Sequence, residues 1–204
     1  VSATTHSVQI AGGQGQLIDI ECHLTSGLPA ITLVGMTNKS VDESRERLRA
    51  AFSSCDLQFP KKRVTINLAP ADLQKSGSTF DSAIAAAILK SMGAIACPDG
   101  ILFFGELGLD GSIRPVRGII GLILAARSYG IKSIVVPVGN LLQAQLVPGV
   151  TLYAFSTLKD LYTHFAGTTP LPAIETQEGA YDASGSSVHC AVDSADVVGQ
   201  ERAK

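Results

Sequence analysis

Between Ala69 and Ser82 the chain reads Ala69-Pro70-Ala71-Asp72-Leu73-Gln74-Lys75-Ser76-Gly77-Ser78-Thr79-Phe80-Asp81-Ser82, which gathers the residue types that acyl transfer needs. The hydroxyls of Ser76, Ser78, Thr79 and Ser82 crowd the start of an apolar run, Ala83 to Leu89, that reads as a helix. A helix start leaves N–H groups unpaired, and these cap a side chain or steady an oxyanion. Lys75 stands beside the hydroxyls. A lysine desolvated enough to lose its proton serves as base to a Ser or Thr nucleophile. The same residues have a plainer role, because Ser and Thr cap helices and a loop lysine stays in water. Residue chemistry alone favours the plainer role.

Other chemistries find less support. GxxxxGK[ST] occurs nowhere, so nucleotide hydrolysis is not expected of this chain. The carboxylates Asp72, Asp81, Glu106 and Asp110 show no metal-ligand spacing with His, and capping or turn roles suit them. His6, His23, His164 and His189 are scattered. One basic cluster, Lys61-Lys62-Arg63, precedes a strand, with Arg45 and Arg49 on a neighbouring helix. Phosphate contact is its functional reading and a solvated surface its plain one.

The elements that must position these residues alternate between strand and helix patterns. Val8 to Glu21 alternates around Gly12-Gly13-Gln14-Gly15 and reads as a hairpin. Pro29 to Val34 is a buried strand. Ser40 and Glu43 fit a capping box for a helix whose apolar face holds Val41, Leu48, Ala51, Phe52 and Cys55, with Arg45, Arg47 and Arg49 outside. Arg63–Leu68 is a strand, Phe80–Met92 a helix and Ile101–Leu107 a strand followed by a turn at Asp110-Gly111. A helix over Gly118–Tyr129 ends at Gly130; a strand over Ser133–Pro137, a short helix to Leu146, a strand over Thr151–Phe155 and a helix over Leu158–Phe165 complete the order. This alternation predicts an α/β (α+β) fold with a mixed sheet.

Composition agrees. The chain has 204 residues, 46% of them hydrophobic, yet only 5% aromatic and no Trp, so the core must be aliphatic. No apolar run approaches the ~20 residues that cross a bilayer, and no membrane association is expected. Cys22, Cys55, Cys97 and Cys190 form no CxxC pair. Cys22 and Cys55 lie in apolar patterns and read as buried thiols, and a reducing cytoplasm fits best. The net charge of −2 divides into +2 for residues 1–172 and −4 for residues 173–204. The first part lacks a strong nucleic-acid footprint. From Gly167 the composition turns to Pro, Gly, Ser, Thr and Ala, as a linker does.

Several blocks resemble the N-terminal domain of the YifB/ComM family of magnesium-chelatase-like AAA+ proteins, often labelled ATP-dependent proteases. They are Gly27-Leu28-Pro29-Ala30, Ile31 to Gly35, Glu43-Ser44-Arg45-Glu46-Arg47, Ile66 to Leu73, Gly105-Glu106-Leu107, Ile113 to Gly118 and Val135-Val136-Pro137. The resemblance covers about residues 5–166 and implies a fold similar to the Lon proteolytic domain, of the ribosomal S5 domain 2-like type. It also implies three segments: a Lon-like domain over 1–166, a linker over 167–195, and the start of an AAA+ ATPase domain over 196–204. Val198-Gly199-Gln200 resembles the box near the adenine in that ATPase domain.

Lon-type proteases use a Ser–Lys dyad. By resemblance the nucleophile position falls at about Thr79 and the lysine position near Ile120, an isoleucine that accepts no proton. Lys75, Ser78 and Thr79 are therefore candidates for a degenerate protease site, and the expectation is a Lon-like fold without peptidase activity. This piece needs no cofactor, whereas ATP and Mg are implied for the full-length protein. The resemblance further implies a homo-hexamer held by the ATPase domain. The implied substrate is branched or single-stranded DNA, in branch migration and natural transformation. Arg45, Arg49, Lys61, Lys62 and Arg63 are the candidate DNA contacts. A Ser/Thr–Lys peptidase and a magnesium-chelatase-like assembly module remain as alternatives.

Overall fold

A computed structural model of the chain describes residues 2–70, 75 and 78–177. The architecture is mixed α/β, as the alternating pattern and the Lon-like resemblance lead one to expect. Ten strands occur among the described residues: β1 (Ser2–Ala11), β2 (Gln14–Thr25), β3 (Ala30–Val34), β4 (Arg63–Ala69), β5 (Ile101–Phe103), β6 (Glu106–Leu107), β7 (Ile113–Arg114), β8 (Ser133–Pro137), β9 (Thr151–Phe155) and β10 (Ile174–Glu175). The helices are α1 (Asn38–Ser54), α2 (Asp81–Ser91), α3 (Ile119–Ser128), α4 (Leu141–Ala144) and α5 (Leu158–Phe165). An eight-stranded sheet runs β10-β9-β8-β5-β1-β2-β4-β3, and β6 and β7 form a separate hairpin. Within the large sheet, antiparallel pairing joins β1 to β2, β2 to β4 and β9 to β10, while the remaining neighbours are parallel.

Two apolar cores flank the sheet. One joins α1, α2 and α5 to Ile18, Ile20, Cys22, Ile66, Phe103 and Phe155. The other joins α3 and α4 to Val8, Leu102, Phe104, Ile134 and Leu152. Coverage explains the sequence patterns. β5 and β8 are packed on both sides, so Ile101–Phe103 and Ile134–Pro137 are buried without a break. β4 is packed on one side, so Val64, Ile66 and Leu68 alternate with more exposed Arg63, Thr65 and Asn67.

Four expectations from the sequence shift in detail. The opening hairpin begins at Ser2 rather than Val8, and it turns on Gly12 and Gly13, both at positive φ. The stretch Ile101–Leu107 breaks into β5 and β6 at Gly105, whose φ of 151° is open to glycine and where a Cβ would overlap Ile113. Helix α1 starts at Asn38 with Thr37 as its cap residue, so Ser40 lies inside the first turn and the expected capping box is absent. Thr37 Oγ1 donates to Ser40 Oγ at 2.9 Å, and Glu43 instead lies 3.9 Å from Lys39. A true capping box occurs at Thr157 and Asp160, opening α5. Finally, β10 lies within the stretch expected to be a linker and extends the sheet beside β9. No helix among the described residues is long and apolar enough to cross a membrane.

Candidate functional site

The hydroxyl-rich loop enters α2 at a corner pinned by backbone bonds. Asp81 N–H donates to the Ser78 carbonyl at 3.1 Å, Gly105 N–H to the Thr79 carbonyl at 3.2 Å, and Ser82 N–H to the Gly105 carbonyl at 3.1 Å. The first turn of α2 is thereby tied to the chain leaving β5. Asp72 and Ser76 lie outside the described residues; Lys75, Ser78, Thr79 and Ser82 each have a place around this corner.

Lys75 is buried, and its Nζ donates to the Pro70 carbonyl. Its own carbonyl accepts from Thr37 N–H at 3.2 Å, bridging the loop to the start of α1. Ser78 Oγ donates to Glu106 Oε2, and Glu106 faces Arg114 across the β6–β7 hairpin with 4.0 Å between charges. Thr79 contributes its carbonyl, and its hydroxyl makes no hydrogen bond among the described residues. The Ser82 hydroxyl is buried without a partner among the described residues, and it packs against Gly105. Ile120 lies on α3, on the opposite side of the sheet from α2. The described groups thus pair serine with a carboxylate and lysine with a backbone carbonyl.

The strongest polar constellation of the corner is one that sequence spacing does not assemble. Asp81 is fully buried and accepts from Ser44 Oγ at 2.7 Å, Arg47 Nε at 2.6 Å, Arg47 Nη2 at 3.3 Å and Leu107 N–H at 3.3 Å. The Arg47 contact is a bidentate fork, the strong form of the pair. Arg47, expected on the outside of α1, is only 17% exposed. Its guanidinium also lies 3.9 Å from Glu43. Burial pushes the Asp81 carboxyl up from its ordinary value, against the pull of Arg47, Ser44 and the Leu107 amide. Burial works to lower Arg47, but Asp81, Glu106 and Glu43 outweigh it and raise that group. We take the pair as charged, because the fork and two further donors satisfy the carboxylate. One sequence signal existed. Ser44 falls on the apolar stripe of α1, three and four residues from Val41 and Leu48, and Arg47 lies one turn beyond it.

The candidate phosphate contacts have different local surroundings. Lys61 and Lys62 are exposed and line a cavity of about 290 Å³ with Leu24, Pro60, Ser91 and Met92 at the end of α2. Arg63 opens β4 and, by strand alternation, shares a face with Thr65 and Asn67, where the sheet is less covered. Arg45 pairs with Asp42 at 3.3 Å and Arg49 with Glu46 at 3.8 Å, both within α1. No ion pair or hydrogen bond joins these two arginines to Lys61–Arg63 among the described residues. Val198, Gly199 and Gln200 lie outside the described residues. No group of His, Cys, Asp and Glu able to hold a metal occurs among the described residues.

Comparison with known proteins places these features in a family. The family model for subunit ChlI of Mg-chelatase matches residues 20–140. An uncharacterized protein of Mycobacterium tuberculosis is 40% identical over 200 residues, 97% of this chain and 39% of that protein. The competence protein ComM of Haemophilus influenzae is 37% identical over 206 residues, 99% of this chain and 40% of that protein. The uncharacterized protein YifB of Escherichia coli is 33% identical over 201 residues, 98% of this chain and 38% of that protein. The chain thus spans about two-fifths of the length of the curated relatives it matches.

Proposed function

Because the chain belongs to the YifB/ComM family of magnesium-chelatase-like proteins, we propose that it is a non-catalytic accessory domain of a hexameric AAA+ ATPase acting on branched or single-stranded DNA. The observation that carries this reading is the match along 99% of the chain to a protein named for competence. ATP and Mg²⁺ would be used by an ATPase domain following this one, and the hexamer would be held there. Residues 1–166 would form the accessory domain and 167–195 the connection to it. The cytoplasm would be the site of action.

The arrangement around α2 supports the non-catalytic part. A Ser–Lys mechanism needs a neutral lysine amine within hydrogen-bond reach of the nucleophile. Lys75 Nζ is held by the Pro70 carbonyl, Ser78 donates to Glu106, and the position resembling the Lon lysine is Ile120. The Asp81–Arg47–Ser44 network fills the base of the corner with groups that pair with one another.

A second reading, a partner-binding module like a chelatase subunit, draws on the name of the matching family model. It requires no DNA affinity. Binding of the chain, alone and fused to a hexamer-forming scaffold, to single-stranded and forked DNA across a salt titration separates the two. The expected outcome is salt-sensitive binding, stronger in the hexamer. Lys61→Ala with Lys62→Ala and Arg63→Ala should weaken it and flatten its log-salt slope by about one for each phosphate no longer neutralised. Absence of binding in both forms would favour the partner-binding reading. Cleavage of unfolded protein that disappears in Thr79→Ala or Lys75→Met would overturn the non-catalytic one.

A further inference from the structure

After α5 the chain turns back along β9, and residues 167–176 form a strap fastened at both ends by backbone bonds. At its start, Thr168 N–H and Thr169 N–H donate to the Thr163 carbonyl at 3.0 and 3.1 Å. At its end, β10 pairs with β9, and Thr176 N–H donates to the Val150 carbonyl at 3.0 Å. Gly149 N–H donates to the Thr176 carbonyl at 2.9 Å. Among the described residues, the middle of the strap, 170–173, is held by one hydrogen bond: Leu171 N–H donates to His164 Nδ1 at 2.9 Å. Pro170 and Pro172 on either side have no N–H, so the strap cannot shift by one residue and fasten again.

That bond fixes the state of the ring. An imidazole nitrogen accepts only while it carries no proton, so the proton of the docked, neutral ring sits on Nε2. An imidazolium carries a proton on both nitrogens, and its Nδ1–H would face the Leu171 N–H. The docked strap and the charged ring therefore exclude one another. The surroundings of the ring are apolar. Its centroid lies 5.4 Å from that of Tyr153, 5.3 Å from Phe155 and 4.6 Å from Phe165. With Tyr153, Phe165, Pro98 and Pro170 it lines a cavity of about 390 Å³.

The titratable groups on the elements around the ring are engaged elsewhere. On α5, Asp160 accepts from Thr157 N–H, and the Lys159 ammonium lies over the Tyr162 ring. On β10, Glu175 accepts from Thr151 Oγ1. Ahead of β5, Asp99 pairs with Lys90, and the Cys97 thiol is buried. The strap from Gly167 to Ile174 contains no charged residue, and β9 offers only the Tyr153 phenol. The last turn of α5 attracts a cation. Burial acts against one and holds the His164 imidazole below its ordinary value.

We propose that His164 is a pH-sensitive latch: the neutral ring holds residues 170–173 against α5 and β9, and the imidazolium releases them while β10 stays paired. The docked ring takes up a proton less readily than the released ring. Docking is therefore complete above the ordinary histidine value of 6.5 and is lost as pH falls through the lower value of the docked ring. Linkage of one proton weakens docking by about tenfold per pH unit across that interval. Release takes Pro170 out of the cavity wall and opens the cavity on that side. The latch stands apart from the DNA and assembly readings, since it needs neither nucleic acid nor a second copy.

Nuclear magnetic resonance of the 204-residue chain tests the latch through exchange protection of the Leu171 amide, corrected for the intrinsic pH dependence of exchange. Between about pH 7.5 and pH 5 that protection should fall roughly tenfold or more. The Thr176 and Phe104 amides, bonded to carbonyls, should keep theirs. Ring nitrogen shifts at the higher pH should show the proton on Nε2. His164→Asn supplies an acceptor that does not titrate, so Leu171 should stay protected across the range. His164→Phe keeps a ring without an acceptor, so Leu171 should be unprotected throughout. A proton on Nδ1 at the higher pH would overturn the latch. So would Leu171 protection that ignores the titration of His164, or that His164→Phe retains. Loss at Phe104 in step with Leu171 would mean global opening, and a pH response kept by His164→Asn would put the sensor elsewhere; each also overturns it.

Discussion

At the scale of single residues, the deciding group is Asp81, a fully buried carboxylate at the corner. Asp81 meets four donors, so its charge is compensated and the pair with Arg47 fastens α1 to α2. Removing one member of a buried pair leaves the other charge uncompensated, which costs more than the pair contributes. Asp81→Ala should therefore lose about 3 kcal/mol of unfolding free energy in urea titrations, most of it from stranded Arg47. Arg47→Met in the same background should recover part of that loss, with a coupling of about 1–3 kcal/mol. Additive losses would mean that the two groups do not act as a pair. Spacing in the chain does not reveal this contact, because Ser44 and Asp81 are far apart in sequence. The hydroxyls of Ser78 and Thr79 are legible as a group, but their partners, Glu106 above all, lie on another loop.

At the scale of elements, the chain fixes its crossings with single polar anchors. Asn140 is buried and holds the loop into α3 from both sides. Its Oδ1 accepts from Val116 N–H at 2.8 Å, and its Nδ2 donates to the Val116 carbonyl at 3.1 Å. Gly139 lets this turn approach Pro115, where a Cβ would overlap the ring. Asn140→Ala would leave the Val116 amide and carbonyl buried and unpaired, a cost of about 2 kcal/mol. The expected signature in hydrogen exchange is loss of protection first at Val116 and the start of α3. Uniform loss across the sheet would mean that the anchor is not local. Helix and strand identities are largely legible from periodicity, since β4 alternates and α1 repeats at helical spacing. Ends are less so. Ser40 and Glu43 fit a capping box, yet α1 begins at Asn38 with Thr37 as its cap residue, where the chain is bridged from Met36 and Thr37 to Lys75.

At the scale of the whole molecule, burial controls the thiols. Cys22, Cys55 and Cys97 are buried and reduced, and burial raises all three, Cys97 to about 11. A thiol held above the ambient pH forms little thiolate, and thiolate is the reactive species. In a Cys190→Ser background, a disulfide-exchange reagent at about pH 8 should find almost no reactive thiol until denaturant exposes Cys22, Cys55 and Cys97. Rapid labelling of native protein would show that the core opens readily. The sequence by itself determined the aliphatic composition and the alternation of helix and strand. These are local facts, set by side-chain type and spacing, and the family match rests on them. Tertiary structure decided which charged groups meet. It took Arg47 inside to Asp81, and it paired Arg45 with Asp42 and Arg49 with Glu46 along α1. Those relations depend on strand order and on which side each helix crosses, and long-range packing selects both after the local patterns have formed.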